Sequence, residues 1–162
     1  LSLLYGLYEF TAKRNGFAIR PRQYYIDVWR SFMDAGMAQT LLAEIDSEVI
    51  GAVVMFIFGG RATYMYGMSS GHHTEKMPNY LLQWESIVRA KAAGCTTYDF
   101  WGVPEFFVDS DPLWGVWRFK SGFRGDVVRT LGAWDLSCKQ FEYWLYTNII
   151  PNVLAAIRMR GS

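Results

Sequence analysis

The sequence predicts an α/β fold, a mixed sheet with helices packed on it. Two observations carry this. Apolar residues recur at helical spacing near both ends of the chain and over residues 78–94, and the segments between them read as strands. A long helical pattern also separates the third strand from the fourth, which predicts that those two are parallel neighbours joined by a crossover.

In order, residues 2–14 carry Leu3, Leu4, Leu7, Tyr8 and Phe10 near helical spacing and end at Asn15-Gly16. After Arg20-Pro21, residues 22–36 repeat the pattern with Tyr25, Val28, Trp29 and Phe32, and stop at Gly36. Thr40 to Ile45 reads as a strand, Asp46-Ser47 as a turn, and Val49 to Phe58 as a second strand. Gly59-Gly60 is a hairpin signal, and Ala62 to Met68 is a third strand. Ser69 to Lys76 is a polar loop. Residues 78–94 form a helix with Pro78 at its start, and Leu81, Leu82, Trp84, Ile87, Val88, Ala92 and Ala93 as its apolar positions. Thr96 to Trp101 is a strand, Glu105 to Asp111 a loop, and residues 112–120 a short helix. One or two strands are expected from Val127 to Leu136 around Gly132, then terminal helices at 138–148 and 152–160 separated by Pro151.

Composition narrows the function classes. The 162 residues are 51% hydrophobic and 17% aromatic, enough for one domain with a real core and too apolar for a disordered chain. The formal net charge of +1 excludes a globally basic surface for nucleic acid, though not a local basic patch. Cys95 and Cys138 have no metal-ligand spacing and read as two buried free thiols, which fits a cytoplasmic compartment. No metal or other cofactor site is written. The longest apolar run, Val49 to Phe58, is interrupted by Gly51 and too short to span a bilayer, so no transmembrane segment is expected. No signal sequence is visible. The chain opens at Leu1-Ser2-Leu3-Leu4 inside a helical pattern, which points to a piece of a longer protein.

The stretch Pro112-Leu113-Trp114-Gly115-Val116-Trp117-Arg118-Phe119-Lys120-Ser121-Gly122-Phe123 stands out. A lysine among aromatic rings is costly unless its charge is used, so Lys120 is the first place to look for chemistry. It can equally be a surface lysine whose stem covers aromatic surface. Arg14 follows a helix and precedes Asn15-Gly16; it can reach a phosphate or complement the helix dipole. Tyr64 and Tyr66, two apart on a strand, are expected on one face, with Met65 on the other. His72 and His73 lie together in the polar loop; a histidine there can act as a general base, but an adjacent pair in such a loop reads as solvated. Asp99, Asp109 and Asp111 can accept a proton, but none is singled out as a base. No serine or cysteine nucleophile motif is present, so a covalent acyl-enzyme is not expected.

The order of elements matches the GCN5-related N-acyltransferase fold. Several segments match a narrower group. They are Ala12-Lys13-Arg14-Asn15-Gly16-Phe17 with Arg20-Pro21 and Tyr24-Tyr25, the hairpin ending Tyr64-Met65-Tyr66-Gly67, Leu82-Gln83-Trp84-Glu85, Tyr98-Asp99-Phe100-Trp101-Gly102-Val103, and Phe119-Lys120-Ser121-Gly122-Phe123. In these the chain resembles the second domain of the Fem family of peptidoglycan bridge aminoacyltransferases (FemX, FemA and FemB), over almost its whole length.

The resemblance implies non-covalent transfer of an amino acid from aminoacyl-tRNA to an amino group of the stem peptide of a peptidoglycan precursor, UDP-linked or lipid-linked. It implies that Phe119 and Lys120 serve the tRNA-linked donor and the tetrahedral intermediate, with Lys120 as the electrostatic stabiliser. It implies that an arginine of this domain meets the precursor diphosphate: Arg14, or else Arg20 or Arg22. Tyr64 and Tyr66 would line the acyl site or pack on helices. Arg118, Arg124 and Arg129 with Lys120 would form a basic strip for the acceptor end of tRNA. Trp114 and Trp117 would stack on its terminal adenine or pack in the core. Arg158 and Arg160 would be a solvated end or a link to another domain.

Family members have two such domains, so residues 1–162 are expected to be one acyltransferase-like domain, the C-terminal of the pair, working with an N-terminal companion. The loop Ser69-Ser70-Gly71-His72-His73-Thr74-Glu75-Lys76 has one glycine and no arginine, so the pyrophosphate cradle of acetyl-CoA enzymes is not written there. Two rivals stand beside this reading: an acyl-CoA-dependent N-acyltransferase acting on a small amine, and a non-catalytic half-enzyme that binds a partner.

Overall fold

A computed structural model describes residues 1–153. The chain divides into two units, Leu1–Phe123 and Arg124–Ser162. The first holds α1 (Ser2–Asn15), α2 (Arg22–Asp34), β1 (Ala38–Ile45), β2 (Glu48–Phe58), β3 (Arg61–Ser69), α3 (Pro78–Ala92), β4 (Thr97–Asp99) and α4 (Trp114–Ser121). The strands lie side by side as β1-β2-β3-β4. The first three are antiparallel, and β4 runs parallel to β3, as the crossover through α3 predicts.

Local chemistry sets these boundaries. Asp46 and Ser47 both have positive φ in the first hairpin turn, and Gly59 and Gly60 have φ of 57° and 75° in the second. Two consecutive left-handed residues match the twist of the strands they join. Gly16 ends α1 in the left-handed conformation, its N–H bonded to Ala12 O. Pro78 occupies the first turn of α3, where a missing N–H costs nothing.

Each face of the sheet has its own core. α1 and α2 cover one face, with Leu4, Tyr25, Trp29, Ala38, Ala52, Val54 and Met68 buried together. α3 covers the other, with Leu41, Ala43, Ile50, Val53, Met55, Ala62, Leu82 and Ala90. The first core is aromatic: Tyr8 meets Tyr25 and Tyr66 edge-on at 5.1 and 5.5 Å, and Phe32 stacks on Phe56 at 4.4 Å.

The expectation that Tyr64 and Tyr66 share a face is wrong, and a bulge is the reason. Val54 pairs with Tyr66 and Met55 with Tyr64, so Met65 is an extra residue in β3. The inserted residue shifts the alternation by one. Tyr64 packs on the α3 core and Tyr66 on the α1–α2 core. Met65, expected on the opposite face from both tyrosines, is only half-buried and belongs to neither cluster.

Four further expectations are corrected. β4 stops at Asp99 instead of reaching Trp101, which has φ 66°. No strand forms over residues 127–136; this apolar segment lacks a ladder partner among the described residues, and Val128, Leu131, Trp134 and Leu136 are exposed. Among the described residues, Pro151 lies inside a helix and does not break it. That helix begins at α5 (Gln140–Trp144), widens into a π turn at Leu145–Ile149 and stays helical through 153. The wider turn accommodates a proline that lacks the N–H for the usual ladder. The rest of the expected 152–160 helix, with Arg158 and Arg160, lies outside the described residues. Cys95 is half-buried and Cys138 exposed, so they are not two buried thiols. Among the described residues, no helix is long and apolar enough to cross a membrane.

Gly67 gives a test of the bulge. A Cβ at that position would overlap the Tyr64 hydroxyl. Gly67→Ala is therefore expected to destabilise the fold by about 1–3 kcal/mol, as overpacking does. Urea unfolding checks this, and a change within about 0.5 kcal/mol of zero would contradict the placement of Tyr64.

Candidate functional site

Lys120 is the buried cation of unit 1. Its residue is only 8% exposed, although α4 as a whole lies at the surface. Its Nζ donates to the carbonyl of Gly102 at 2.6 Å and lies 5.9 Å from the centre of the Tyr64 ring. α4 is held by aromatic contacts. Phe119 meets Tyr80 edge-on at 4.9 Å, and Phe123 stacks on Tyr80 at 5.7 Å and tilts against Phe100 at 5.1 Å. Tyr80 belongs to the first turn of α3 and Phe100 follows β4, so α4 is anchored to both.

Burial sets the electrostatics. It pushes the Lys120 ammonium below its ordinary pKa, while the Asp99 carboxylate acts in the opposite sense. Burial raises the Tyr64 phenol to about 12, with a hydrogen bond to Gln83 opposing. Tyr98 is pushed up as well, again chiefly by burial. Both phenols therefore keep their protons near neutral pH and remain donors. Tyr98 Oη donates to Gln83 Oε1 at 2.8 Å, and Gln83 is 1% exposed. An ammonium carries three N–H groups, and Gly102 accepts one. The result is a largely buried cation with one backbone acceptor and the ring of a protonated phenol beside it. Such a group stabilises negative charge that develops beside it more strongly than a solvated lysine does.

The structure brings together Lys120, Phe119 and Tyr64 from the expected residues. Tyr66 is separated from them by the sheet. Arg14 donates through Nη1 and Nη2 to the carbonyl and hydroxyl of Ser69 at 3.1 and 2.9 Å. With Thr11, whose hydroxyl bonds the Ser69 N–H at 3.0 Å, it ties α1 to the end of β3. Arg20 stacks on Tyr24 at 4.8 Å, and Arg22 reaches Ser2 Oγ at 2.8 Å. Arg20 also lines an open groove of about 500 Å³ with Tyr5, Lys13 and Phe17; Lys120 does not.

Arg118 is exposed in the last turn of α4. Arg124 is exposed, with φ 55°, and it and Arg129 belong to the second unit. His72 pairs with Glu48 at 2.9 Å and His73 faces Glu75 at 3.6 Å, both in exposed pairs, as solvated histidines should. Asp111 Oδ1 accepts the Leu113 N–H at 2.7 Å and so starts the turn into α4. Trp117 packs on Phe107 at 4.5 Å. Among the described residues, no group of three or more His, Cys, Asp or Glu is placed to hold a metal ion.

Three members of the site are missing from the expectations drawn from sequence. The Gly102 carbonyl leaves no trace in a side-chain pattern. Gln83 and Tyr98 do leave one: a polar residue on the buried face of α3, and a tyrosine on the short strand behind it. Their pairing needs the parallel β3–β4 contact, which sequence fixes only as topology.

The chain is similar to proteins of one family in sequence and of a wider class in fold. The FemAB family profile matches residues 36–150. Lipid II:glycine glycyltransferase of Staphylococcus epidermidis is 32% identical over 111 residues, 65% of this chain and 25% of that protein. The enzyme of the same name from Staphylococcus aureus shows the same identity and coverage. This chain thus spans about a quarter of the length of the curated relatives it matches.

Among solved structures, FemX superposes with a TM-score of 0.67 at 17% identity, covering 74% of this chain and 46% of FemX. A probable acetyltransferase gives 0.60 at 14% identity, covering 85% of this chain and 93% of the other. The PaiA N-acetyltransferase of Thermoplasma acidophilum, in complex with coenzyme A, gives 0.53 at 15% identity, covering 75% and 80%. These likenesses show the acetyltransferase fold. The family profile covers more than half of the chain, and the chain belongs to the FemAB family.

Proposed function

We propose that this chain is the acyltransferase-fold, C-terminal domain of a peptidoglycan bridge transferase. It carries an amino acid from aminoacyl-tRNA to an amino group of a precursor stem peptide, in the cytoplasm and with an N-terminal companion domain. The single observation that carries the reading is Lys120, a buried ammonium with a short hydrogen bond to Gly102, in a chain of the FemAB family. The relatives' name, lipid II:glycine glycyltransferase, supports a lipid-linked precursor as acceptor and glycine as a candidate donor. The chain-length difference supports the companion domain.

The chemistry is aminolysis of an ester. The acceptor amine attacks the acyl carbon of the donor, and negative charge gathers on the carbonyl oxygen. The Lys120 ammonium stabilises that oxyanion, and Phe119 on the same helix shapes the approach. The C–N bond forms as the tRNA ribose oxygen leaves, and the amine's proton passes to solvent or to the leaving oxygen. Arg14, Arg20 and Arg22 are candidates for the precursor's phosphates, and Arg118 and Arg124 for the tRNA end. Tyr66 is a core residue of the opposite face on this reading, and Tyr64 supports Lys120.

The alternative donor, acetyl-CoA, has one observation in its favour, the fold shared with a coenzyme A complex. The loop before α3 weighs against it. It holds His72–Glu48 and His73–Glu75 pairs and a short 3₁₀ turn at Thr74–Lys76, not a run of glycines.

Transfer from charged tRNA to a lipid-linked precursor, with the companion domain supplied, tests the reading. Lys120→Ala is expected to lower kcat by about 100-fold or more while circular dichroism stays native. Wild-type turnover by that variant would remove the role. Saturable binding of acetyl-CoA at micromolar concentration would favour the alternative.

The lowered Lys120 pKa has two signed consequences. Transfer needs the ammonium, so the rate should fall on the alkaline side at a lower pH than an ordinary lysine would give. The folded pKa lies below the unfolded value of 10.5, so the unfolded chain binds more protons between the two. Burying the ammonium is therefore unfavourable below the folded pKa, and this penalty disappears as pH rises towards 10.5. Lys120→Met should be at least as stable as wild type at neutral pH, and its advantage should shrink on going alkaline. A methionine variant that is less stable at neutral pH by more than about 1 kcal/mol in denaturant titrations would contradict the desolvation argument.

A further inference from the structure

The turn after β4 has a conformation that its own residues do not favour. Trp101 has φ 66°, yet its side chain is 60% exposed and so is not held there by packing. A bulky non-glycine residue in the left-handed region is uncommon and needs an outside constraint. Asp99 supplies it. Its Oδ1 accepts the Trp101 N–H at 2.8 Å, and its Oδ2 faces Arg61 Nη1 at 3.4 Å. Asp99 is itself fixed as the last paired residue of β4, opposite Thr63. The residue that follows Trp101 in the turn is Gly102, whose carbonyl is the acceptor for Lys120. A continuous path therefore runs from the strand end, through the capped turn, to the buried ammonium.

We propose that Asp99 is a positioning residue: by capping the Trp101 amide it folds the left-handed turn that presents the Gly102 carbonyl to Lys120. The ammonium is thereby held at one point of its pocket instead of swinging towards water. The inference rests on the transfer role of Lys120 for its functional meaning, but the turn itself is tested without turnover.

The experiment is NMR of this chain labelled with ¹⁵N-lysine, reading proton exchange at the Lys120 ammonium, assigned by its absence in Lys120→Met. Wild type should show a slowly exchanging signal. Asp99→Asn keeps an oxygen that accepts the Trp101 N–H, so the signal should persist. Asp99→Ala removes the cap, and the signal should be lost. Asp99→Ala combined with Trp101→Gly should regain it, because glycine adopts the left-handed conformation unaided. That double variant also serves where Asp99→Ala alone does not fold. In the assembled enzyme, Asp99→Ala should lower kcat on the order of tenfold, and Asp99→Asn by less than about threefold.

Loss of the signal in Asp99→Asn as complete as in Asp99→Ala would show that the charge acts and not the turn, and would overturn the proposal. Full protection in Asp99→Ala would overturn it as well. If the ammonium signals behave as expected but Lys120→Met still transfers at the wild-type rate, the turn stands and the transfer role of Lys120 falls.

Discussion

The short hydrogen bond between the Lys120 ammonium and the Gly102 carbonyl is the contact on which the site depends. An ammonium taken out of water needs partners, and here they come from different parts of the chain. α4 supplies the lysine, the turn after β4 supplies the carbonyl, and β3 supplies the Tyr64 ring. Tyr80, Phe100, Phe119 and Phe123 pack on one another and so hold α4 to α3 and to the segment after β4. A lysine in water would be a weak catalyst of ester aminolysis. In this pocket its charge is poorly screened, which is the condition under which an electrostatic stabiliser acts strongly.

The sheet makes that arrangement possible by separating two tasks. One face, under α1 and α2, is an aromatic core with Trp29 fully buried. The other face, under α3, borders the lysine. The bulge at Met65 decides which tyrosine goes where. Without the extra residue, Tyr64 and Tyr66 would share a face, and one core would lose its edge-on ring while the other gained a second phenol. Gly67 completes the device by leaving room for the Tyr64 hydroxyl.

Much of the fold is legible in the sequence. The change of hydrophobic period, the Gly59-Gly60 turn and the helix between the third and fourth strands are local signals, and they fix the topology. Lys120 is legible too, because a charge among aromatic residues is unusual. What escapes is set by contacts distant along the chain. The Met65 bulge depends on register against β2, and nothing at Met65 marks it. The early end of β4 coincides with the Asp99 carboxylate accepting the Trp101 N–H, a contact no local pattern announces. The apolar pattern of residues 127–136 reads as strand, but a strand requires a ladder partner as well as a pattern. Arg14 looks like a phosphate ligand in sequence, and its bonds to Ser69 become visible only once α1 is packed on β3.

The central claim is that Lys120 favours the tetrahedral intermediate over the planar donor ester. Calorimetric binding of a tetrahedral phosphonate analogue of the intermediate and of a non-reactive planar donor analogue, to the assembled enzyme and to its Lys120→Met variant, tests it most directly. The account predicts that the variant loses about 100-fold in affinity for the tetrahedral analogue and less than about threefold for the planar one. Equal losses for the two ligands, or none, would contradict it.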